Sequence, residues 1–134
     1  MAFKILAVDD DIDVVETLKR RLKAEGYEPF TACDGKEALE IIQNNDPDII
    51  LLDLVLPQVN GYEVLRKVKT EFKDKWRPVI VISAKNELDS VTDAYDLDAD
   101  LYLIKPCTIM EILVAIKKMV DMLVIAREQE KEQE

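Results

Sequence analysis

The chain has 134 residues, enough for one domain with a single core, and its 49% hydrophobic and 34% charged residues are typical of a globular protein. Its formal net charge of −10 argues against nucleic acid as a partner, because binding to phosphate groups requires clustered Lys and Arg. Histidine is absent, and the two cysteines, Cys33 and Cys107, lack metal-ligand spacing, which excludes a zinc site and a histidine-based catalytic triad.

The sequence also lacks the marks of a membrane or secreted protein. No apolar run reaches transmembrane length, and the N-terminus has no basic segment followed by a long apolar stretch. We therefore expect a cytoplasmic protein that does not bind a membrane. In that compartment a disulfide between the two cysteines is not expected.

Apolar runs of strand length alternate along the chain with amphipathic segments of helix length, which predicts βαβ units around a parallel sheet. The five predicted strands are 3–8, 28–33, 48–53, 78–83 and 100–104. The third and fourth are continuously apolar, as central parallel strands are. The second contains Pro29, which is tolerated on an edge strand, so we expect this strand at the sheet margin.

Helices are predicted between the strands from their capping signals. In chain order, the predicted helix starts are Asp11 or Asp13, Asp34-Gly35, Gly61 and Asn86. The first of these helices should end at Gly26. Right-handed crossovers place helices on both faces of the sheet, so a ligand crevice is expected beside the first and third strands.

The last predicted helix begins near Thr108 and is unusually long. Its apolar residues follow a spacing close to a heptad repeat: Ile112, Ile116, Met119, Leu123 and Ala126. A helix that runs to about residue 128 is longer than the strands it covers, so its end should project. The polar segment 128–134 is expected to fray.

Charged side chains follow several of the predicted strands where those strands end. Asp9 and Asp10 follow the first strand, Asp53 ends the third, and Lys105 follows the fifth. The carboxyl ends of parallel strands converge, so these groups should form one site. Adjacent carboxylates repel one another unless a cation is present, and an oxygen-only anionic site suits Mg²⁺, which in turn implies a phosphoryl donor as substrate. Asp11 and Asp13 are interpreted as solvated helix caps.

Four segments together carry a resemblance to a known family. They are Val8-Asp9-Asp10, Leu52 to Pro57 followed by Asn60-Gly61, Ile82-Ser83-Ala84, and Tyr102 to Pro106. In order and spacing they resemble the receiver domain of two-component response regulators. The resemblance covers roughly residues 3 to 122, so we predict a receiver domain over 1–122. Residues 123–134 are predicted to extend the last helix and end in a polar acidic tail.

The resemblance implies an α/β fold, a doubly wound five-stranded parallel sheet in the flavodoxin-like order 2-1-3-4-5. It implies that Asp53 accepts a phosphoryl group from a histidine kinase or a phosphotransfer protein and becomes an aspartyl phosphate. Such a domain is a phosphoacceptor that assists its own phosphorylation and dephosphorylation rather than a conventional enzyme.

The resemblance also assigns roles to individual residues. Asp10, the Asp53 carboxylate and the backbone carbonyl of Val55 would ligate Mg²⁺, and Asp9 would act mainly through water. Lys105 would hold the phosphoryl oxygens. Ser83 and Tyr102 match the hydroxyl and aromatic positions of a two-state switch, which would alter the face formed by the fourth helix, fifth strand and fifth helix.

Two positions depart from the commonest family pattern. Asp98 stands where glycine is usual in the turn before the fifth strand, and Cys107 replaces the usual Phe after Lys-Pro. Both bear on partner choice and dimer geometry. A homodimer through the same switching face, or through the extended last helix, is a further expectation.

Two alternatives stay open on the sequence alone. Asp11-Ile-Asp13 echoes the Asp-x-Asp motif of haloacid-dehalogenase-type phosphatases, although that family carries its nucleophile on the first strand and would leave Asp53 unexplained. The second alternative is a receiver-like binding module that is never phosphorylated. An incomplete acidic site would have favoured it, but the acidic residues, Ser83 and Lys105 are all present.

Overall fold

The computed structural model describes residues 2–84 and 99–132. Its elements, in chain order, are β1 (Lys4–Val8), α1 (Ile12–Ala24), β2 (Glu28–Ala32), α2 (Gly35–Asn45), β3 (Ile49–Leu52), α3 (Gly61–Thr70), β4 (Val79–Ala84), β5 (Leu101–Lys105) and α4 (Ile109–Glu132). The predicted helix starting at Asn86 and the departure at Asp98 lie outside the described residues.

The five strands form one parallel sheet in the order β2-β1-β3-β4-β5, which confirms the predicted fold class. The strand with Pro29 lies at one edge of this sheet, as predicted. Strand β1 lies between β2 and β3, so the sequence order reverses there. The crevice at such a reversal is where open α/β sheets bind their ligands.

Alternate strand residues face two separate cores, because successive side chains of a strand point to opposite sides of the sheet. Ile5 and Ala7 pack with buried residues of α1 and α4. Leu6 and Val8 pack with buried residues of α2 and α3. Helices therefore cover both faces of the sheet, as a doubly wound fold requires.

The helix starts follow the predicted capping chemistry. Asp11, Asp34 and Asn60 each accept a backbone N–H of the first turn through a side-chain oxygen, at 2.7–3.0 Å. Thr108 does the same for α4, where its Oγ1 accepts the N–H of Glu111 at 3.1 Å. Asp11 is therefore the cap of the first helix, and Asp13 lies in its first turn.

The strand boundaries differ by one residue from those predicted, and two acidic residues explain part of the difference. Asp48 and Asp100, each predicted as the first residue of a strand, lie just before β3 and β5. Their side chains accept the backbone N–H groups of Lys4 at 2.7 Å and Val79 at 2.8 Å. At the other end, β5 extends to Lys105, whereas residue 104 was the predicted end.

The last helix is longer than predicted, since α4 ends at Glu132 rather than near residue 128. The segment from 128 onward is helical up to Glu132, in keeping with the high helix propensity of Glu, Gln and Lys, and its fraying stays a prediction. Arg127 also anchors the helix: its Nη2 donates to Asp48 Oδ1 at 2.6 Å, and its guanidinium lies 5.4 Å from the centre of the Phe3 ring. Helix α4 therefore contacts the domain at least as far as Arg127.

None of the described helices combines the length and apolarity needed to cross a membrane.

Candidate functional site

The strands place the predicted charged residues along one edge of the sheet. Val8 pairs with Leu52 at the ends of β1 and β3, so the next residues, Asp9 and Asp53, lie side by side. The Asp53 N–H donates to the Val8 carbonyl at 3.0 Å, which extends the pairing of the two strands by one step. Lys105 reaches the same edge as the last residue of β5.

Lys105 joins two of the aspartates. Its Nζ donates to Asp53 Oδ2 at 2.7 Å and to Asp9 Oδ2 at 3.0 Å. Asp9 and Asp53 are each only 6% exposed, so the ammonium lies between two largely dehydrated anions. Bonds between ionised groups in such surroundings are stronger than neutral ones, and this pairing holds the end of β5 against β1 and β3.

The pKa of Lys105 reflects its position. Partial burial by itself would lower that pKa, but hydrogen bonds and charge attraction to Asp53 and then Asp9 outweigh burial and raise the pKa above its ordinary value. Lys105 is therefore protonated throughout the physiological pH range. Its stabilising contribution is fully present below the ordinary lysine pKa and is lost only as pH rises through the raised value.

Three carboxylates form an acidic cluster at this edge. Asp9, Asp10 and Asp53 each offer an oxygen, and these oxygens lie within 4.8 Å of one another. Loss of hydration, followed by the neighbouring charges of Asp9 and Asp53, raises the pKa of Asp10 above its ordinary value. Within the described part of the chain, the side-chain ligands that this cluster offers are all carboxylate oxygens. Such oxygens suit a hard divalent cation such as Mg²⁺.

Replacement of Asp10 by asparagine should stabilise the protein when divalent ions are absent, because the change removes one of three mutually repelling charges. We expect a higher midpoint of thermal unfolding in EDTA and a smaller increase on addition of Mg²⁺ than in the wild type. Differential scanning calorimetry measures both. Asp13→Asn is the matched control, because it removes an equal charge from α1 outside the cluster, and it should not raise the midpoint. A lower midpoint for Asp10→Asn in EDTA would contradict the repulsion.

Asp53 is held in place from several sides. Besides Lys105, its Oδ1 accepts the Val55 N–H at 3.0 Å and lies 3.4 Å from Ser83 Oγ. Ser83 is fully buried in β4, whereas the Val55 side chain is about half exposed. The carboxylate is therefore oriented by donors of three kinds: an ammonium, a backbone amide and a hydroxyl.

Tyr102 lies on β5, three residues before Lys105 and therefore on the opposite face of the sheet, and it is partly exposed. Its hydroxyl accepts the N–H of Ala99 at 3.3 Å.

Cys107 packs against the core between α1 and α4, and both cysteines are free thiols. Cys107 also lines a cavity of about 650 Å³, whose walls include Asp53 and Lys105.

Sequence reasoning missed how two glycines shape the site. The sequence pattern marks Gly35 as a helix start and Gly61 as a helix start within a family segment, but it does not reveal that both lie against the loop that follows Asp53. The Gly61 N–H donates to the Leu54 carbonyl at 3.0 Å, and the Gly35 N–H donates to the Pro57 carbonyl at 3.4 Å. An Asp-Gly pair before a helix is a visible signal, but the loop it meets is not adjacent in sequence.

Comparison with known proteins agrees with this geometry. Residues 5–117 match the family described as "Response regulator receiver domain". Among similar solved structures, a CheY-like response regulator receiver domain protein from Methanospirillum hungatei JF-1 is 31% identical, with a TM-score of 0.81 over 98% of this chain and 99% of that chain. The chemotaxis response regulator CheY4 of Vibrio cholerae is 28% identical, with a TM-score of 0.79 over 89% of this chain and 99% of that chain.

A putative response regulator from Chloroflexus aurantiacus J-10-fl is 30% identical, with a TM-score of 0.80 over 90% of this chain and 99% of that chain. The family match spans most of the chain, and these three solved structures are covered almost completely. The fold, the strand order and the sequence match thus agree, and the chain belongs to the response regulator receiver domain family.

Proposed function

We propose that Asp53 accepts a phosphoryl group from a histidine kinase or a phosphotransfer protein. The observation that carries this proposal is the placement of Lys105 Nζ 2.7 Å from Asp53 and 3.0 Å from Asp9 at the carboxyl edge of the sheet. A fixed ammonium beside an oriented carboxylate is suited to phosphoryl transfer, where positioning and charge neutralisation account for most of the catalysis.

In the proposed reaction, a carboxylate oxygen of Asp53 attacks the phosphorus of a phosphohistidine. The new P–O bond forms while the P–N bond breaks, and the imidazole leaves with the electron pair and takes up a proton from water. Lys105 neutralises the phosphoryl oxygens, and the Val55 N–H and the Ser83 hydroxyl keep the carboxylate oriented. The product is an aspartyl phosphate at Asp53.

The acidic cluster is proposed to hold Mg²⁺ through Asp10, Asp53 and the backbone carbonyl of Val55. Asp9 is proposed to act mainly through water, since its Oδ1 already accepts the Asp11 N–H at 2.9 Å and its Oδ2 accepts Lys105. When bound, Mg²⁺ offsets the charge on the oxygens of the transferring group.

Intact-mass measurement after incubation with acetyl phosphate tests the proposal. We expect one phosphoryl adduct in the presence of Mg²⁺ and no adduct in EDTA. A protein that remains unmodified in Mg²⁺ would contradict the proposal and favour the alternative of a receiver-like binding module.

Phosphorylation is proposed to act through Ser83 and Tyr102 as a two-state switch. A new dianion at Asp53 would draw the Ser83 hydroxyl toward it, and the Tyr102 ring, now partly exposed, would move inward. The affected face would include β5, α4 and the predicted helix within the undescribed residues. We expect chemical acetylation of Tyr102 to slow when a phosphoryl mimic is bound, as followed by peptide mass spectrometry. Equal labelling in both states would argue against the switch.

The proposed partners follow from the proposed chemistry. They are a histidine kinase or a phosphotransfer protein, and we propose a cytoplasmic location, as expected from the sequence. A homodimer through the face that includes β5 and α4, or through the far end of α4, stays a prediction. Sedimentation with and without a phosphoryl mimic tests it, and a concentration-independent monomer in both states would contradict it.

A further inference from the structure

The loop between Asp53 and Gly61 joins β3 to α3 and carries Val55, and its position determines where the Val55 peptide lies. Two of its side chains, Leu54 and Leu56, are buried in the core beneath the sheet. Gln58 has a positive φ of 68°, which turns the chain back toward α3. The buried leucines therefore hold the loop on its core side. Contacts on its other side also determine the position of the loop.

Gly35, the first residue of α2, lies against this loop from a different part of the chain. A Cβ added at Gly35 would overlap the Val59 carbonyl oxygen, and it would lie 2.5 Å from the Val59 carbonyl carbon and 2.9 Å from its Cβ. Because the overlapping atoms are mainly backbone, rotation of a side chain could not relieve the contact. The Gly35 N–H also donates to the Pro57 carbonyl.

The backbone conformation of Gly35 does not itself require glycine. Among the described glycines, positive φ occurs at Gly26 alone. Alanine is the better helix former, so a change to alanine at this helix start should be harmless on local grounds. Close packing against the loop is therefore the feature that a side chain at position 35 would disturb.

We infer that Gly35 is a positioning residue for the phosphoryl-acceptor site: it sets the position of the loop and, through it, the Val55 peptide that orients Asp53. A side chain at position 35 would push the Val59 peptide away from α2. Because Leu54 and Leu56 are held in the core on either side of Val55, the loop cannot move as a rigid unit, and the peptides around Val55 would have to rotate. That rotation would disturb the Val55 N–H that bonds to Asp53 and the Val55 carbonyl that is the proposed metal ligand. This inference rests on the proposed function of Asp53.

The test compares Gly35→Ala with Gly26→Ala. The control also places a methyl group on a glycine, and its positive φ of 90° makes alanine strained there, yet nothing lies within 4 Å of the added atom. Both variants should unfold at lower temperature than the wild type, so lost stability alone would affect them alike.

Three readouts are measured where circular dichroism shows the variants folded. They are the Mg²⁺ dissociation constant by calorimetry, the Val55 amide signal of the metal-free protein by NMR, and the rate of phosphoryl uptake from acetyl phosphate. We expect Gly35→Ala to weaken Mg²⁺ binding by about 10-fold to 100-fold, the usual cost of disturbing groups that orient metal ligands. It should also shift the Val55 signal and slow uptake, whereas Gly26→Ala should match the wild type in all three.

A folded Gly35→Ala protein with wild-type Mg²⁺ affinity and an unshifted Val55 signal would overturn the inference. If Gly35→Ala is unfolded in dilute buffer, all three readouts are taken on both variants and the wild type in a stabilising osmolyte such as sucrose, and the same criteria apply. A wild-type protein that binds Mg²⁺ but takes up no phosphoryl group would contradict the proposed function, while the Val55 comparison would still decide the role of Gly35.

Discussion

Replacement of Asp53 by asparagine should abolish uptake of a phosphoryl group from acetyl phosphate. Asparagine has nearly the same shape and can still accept the Val55 N–H, so the loop should stay in place. It lacks the nucleophilic carboxylate oxygen, however, and no other group of this edge within residues 2–84 and 99–132 is oriented by the same three donors. Intact-mass measurement over time should show no adduct on the variant under conditions in which the wild type is fully modified.

Asp11→Asn is the matched control for this experiment. Asp11 lies on the same edge and caps α1, and asparagine is an equally good cap, so the helix should be unaffected. This variant should be modified like the wild type. If Asp11→Asn lost activity on a phosphate ester while Asp53→Asn retained it, the phosphatase alternative would regain support.

Replacement of Lys105 by methionine should slow phosphoryl uptake on the order of 10²-fold to 10³-fold, the typical effect of removing one fixed group that stabilises developing negative charge. Methionine keeps much of the apolar stem and removes only the ammonium. The same change leaves Asp9 and Asp53 facing each other without a counterion, so the free energy of unfolding in EDTA should fall. The Lys105 side chain is about one-third exposed, and solvent therefore reduces this loss.

Intact-mass measurement of samples quenched at successive times gives the rate of uptake, and urea denaturation gives the free energy of unfolding. Lys117→Met is the control, because Lys117 also pairs with an aspartate, Asp121 at 2.8 Å, but on the exposed surface of α4. That pair should contribute little to stability and nothing to phosphoryl uptake. Equal rates in Lys105→Met and the wild type would remove Lys105 from the proposed mechanism.

The core of the fold was predictable because the sequence repeats one unit. Continuous apolar runs such as Ile49–Leu52 can only be buried strands when amphipathic helices flank them, and right-handed crossovers leave few possible arrangements. The convergence of Asp9, Asp53 and Lys105 follows from the same rule, since each residue ends or follows a parallel strand. The strand order itself came from the family resemblance rather than from these rules.

Other features depend on contacts between distant residues, which local patterns do not reveal. The sequence pattern places Asp48 and Asp100 within strands, whereas their carboxylates instead accept N–H groups from neighbouring strands. Likewise, Arg127 holds α4 against the domain through Asp48 and the Phe3 ring, and both partners are far away in sequence.

The packing of Gly35 against the loop after Asp53 is of the same kind. An Asp-Gly pair before a helix indicates a cap, and nothing nearby in sequence indicates that the glycine also faces Val59. Glycines that follow a cap in α/β folds are thus worth testing for contacts with loops from other strands. In this chain such a contact involves the loop that carries Val55, whose N–H bonds to Asp53.

The central claim is that the phosphoryl group is bound to Asp53, and borohydride reduction tests it most directly. Reduction converts an aspartyl phosphate into homoserine, so the modified residue can be located by peptide sequencing in a mass spectrometer. After treatment with acetyl phosphate and Mg²⁺, we expect homoserine at position 53 and none when EDTA replaces Mg²⁺. Homoserine at position 9 or 10, or none in the Mg²⁺ sample, would contradict the account.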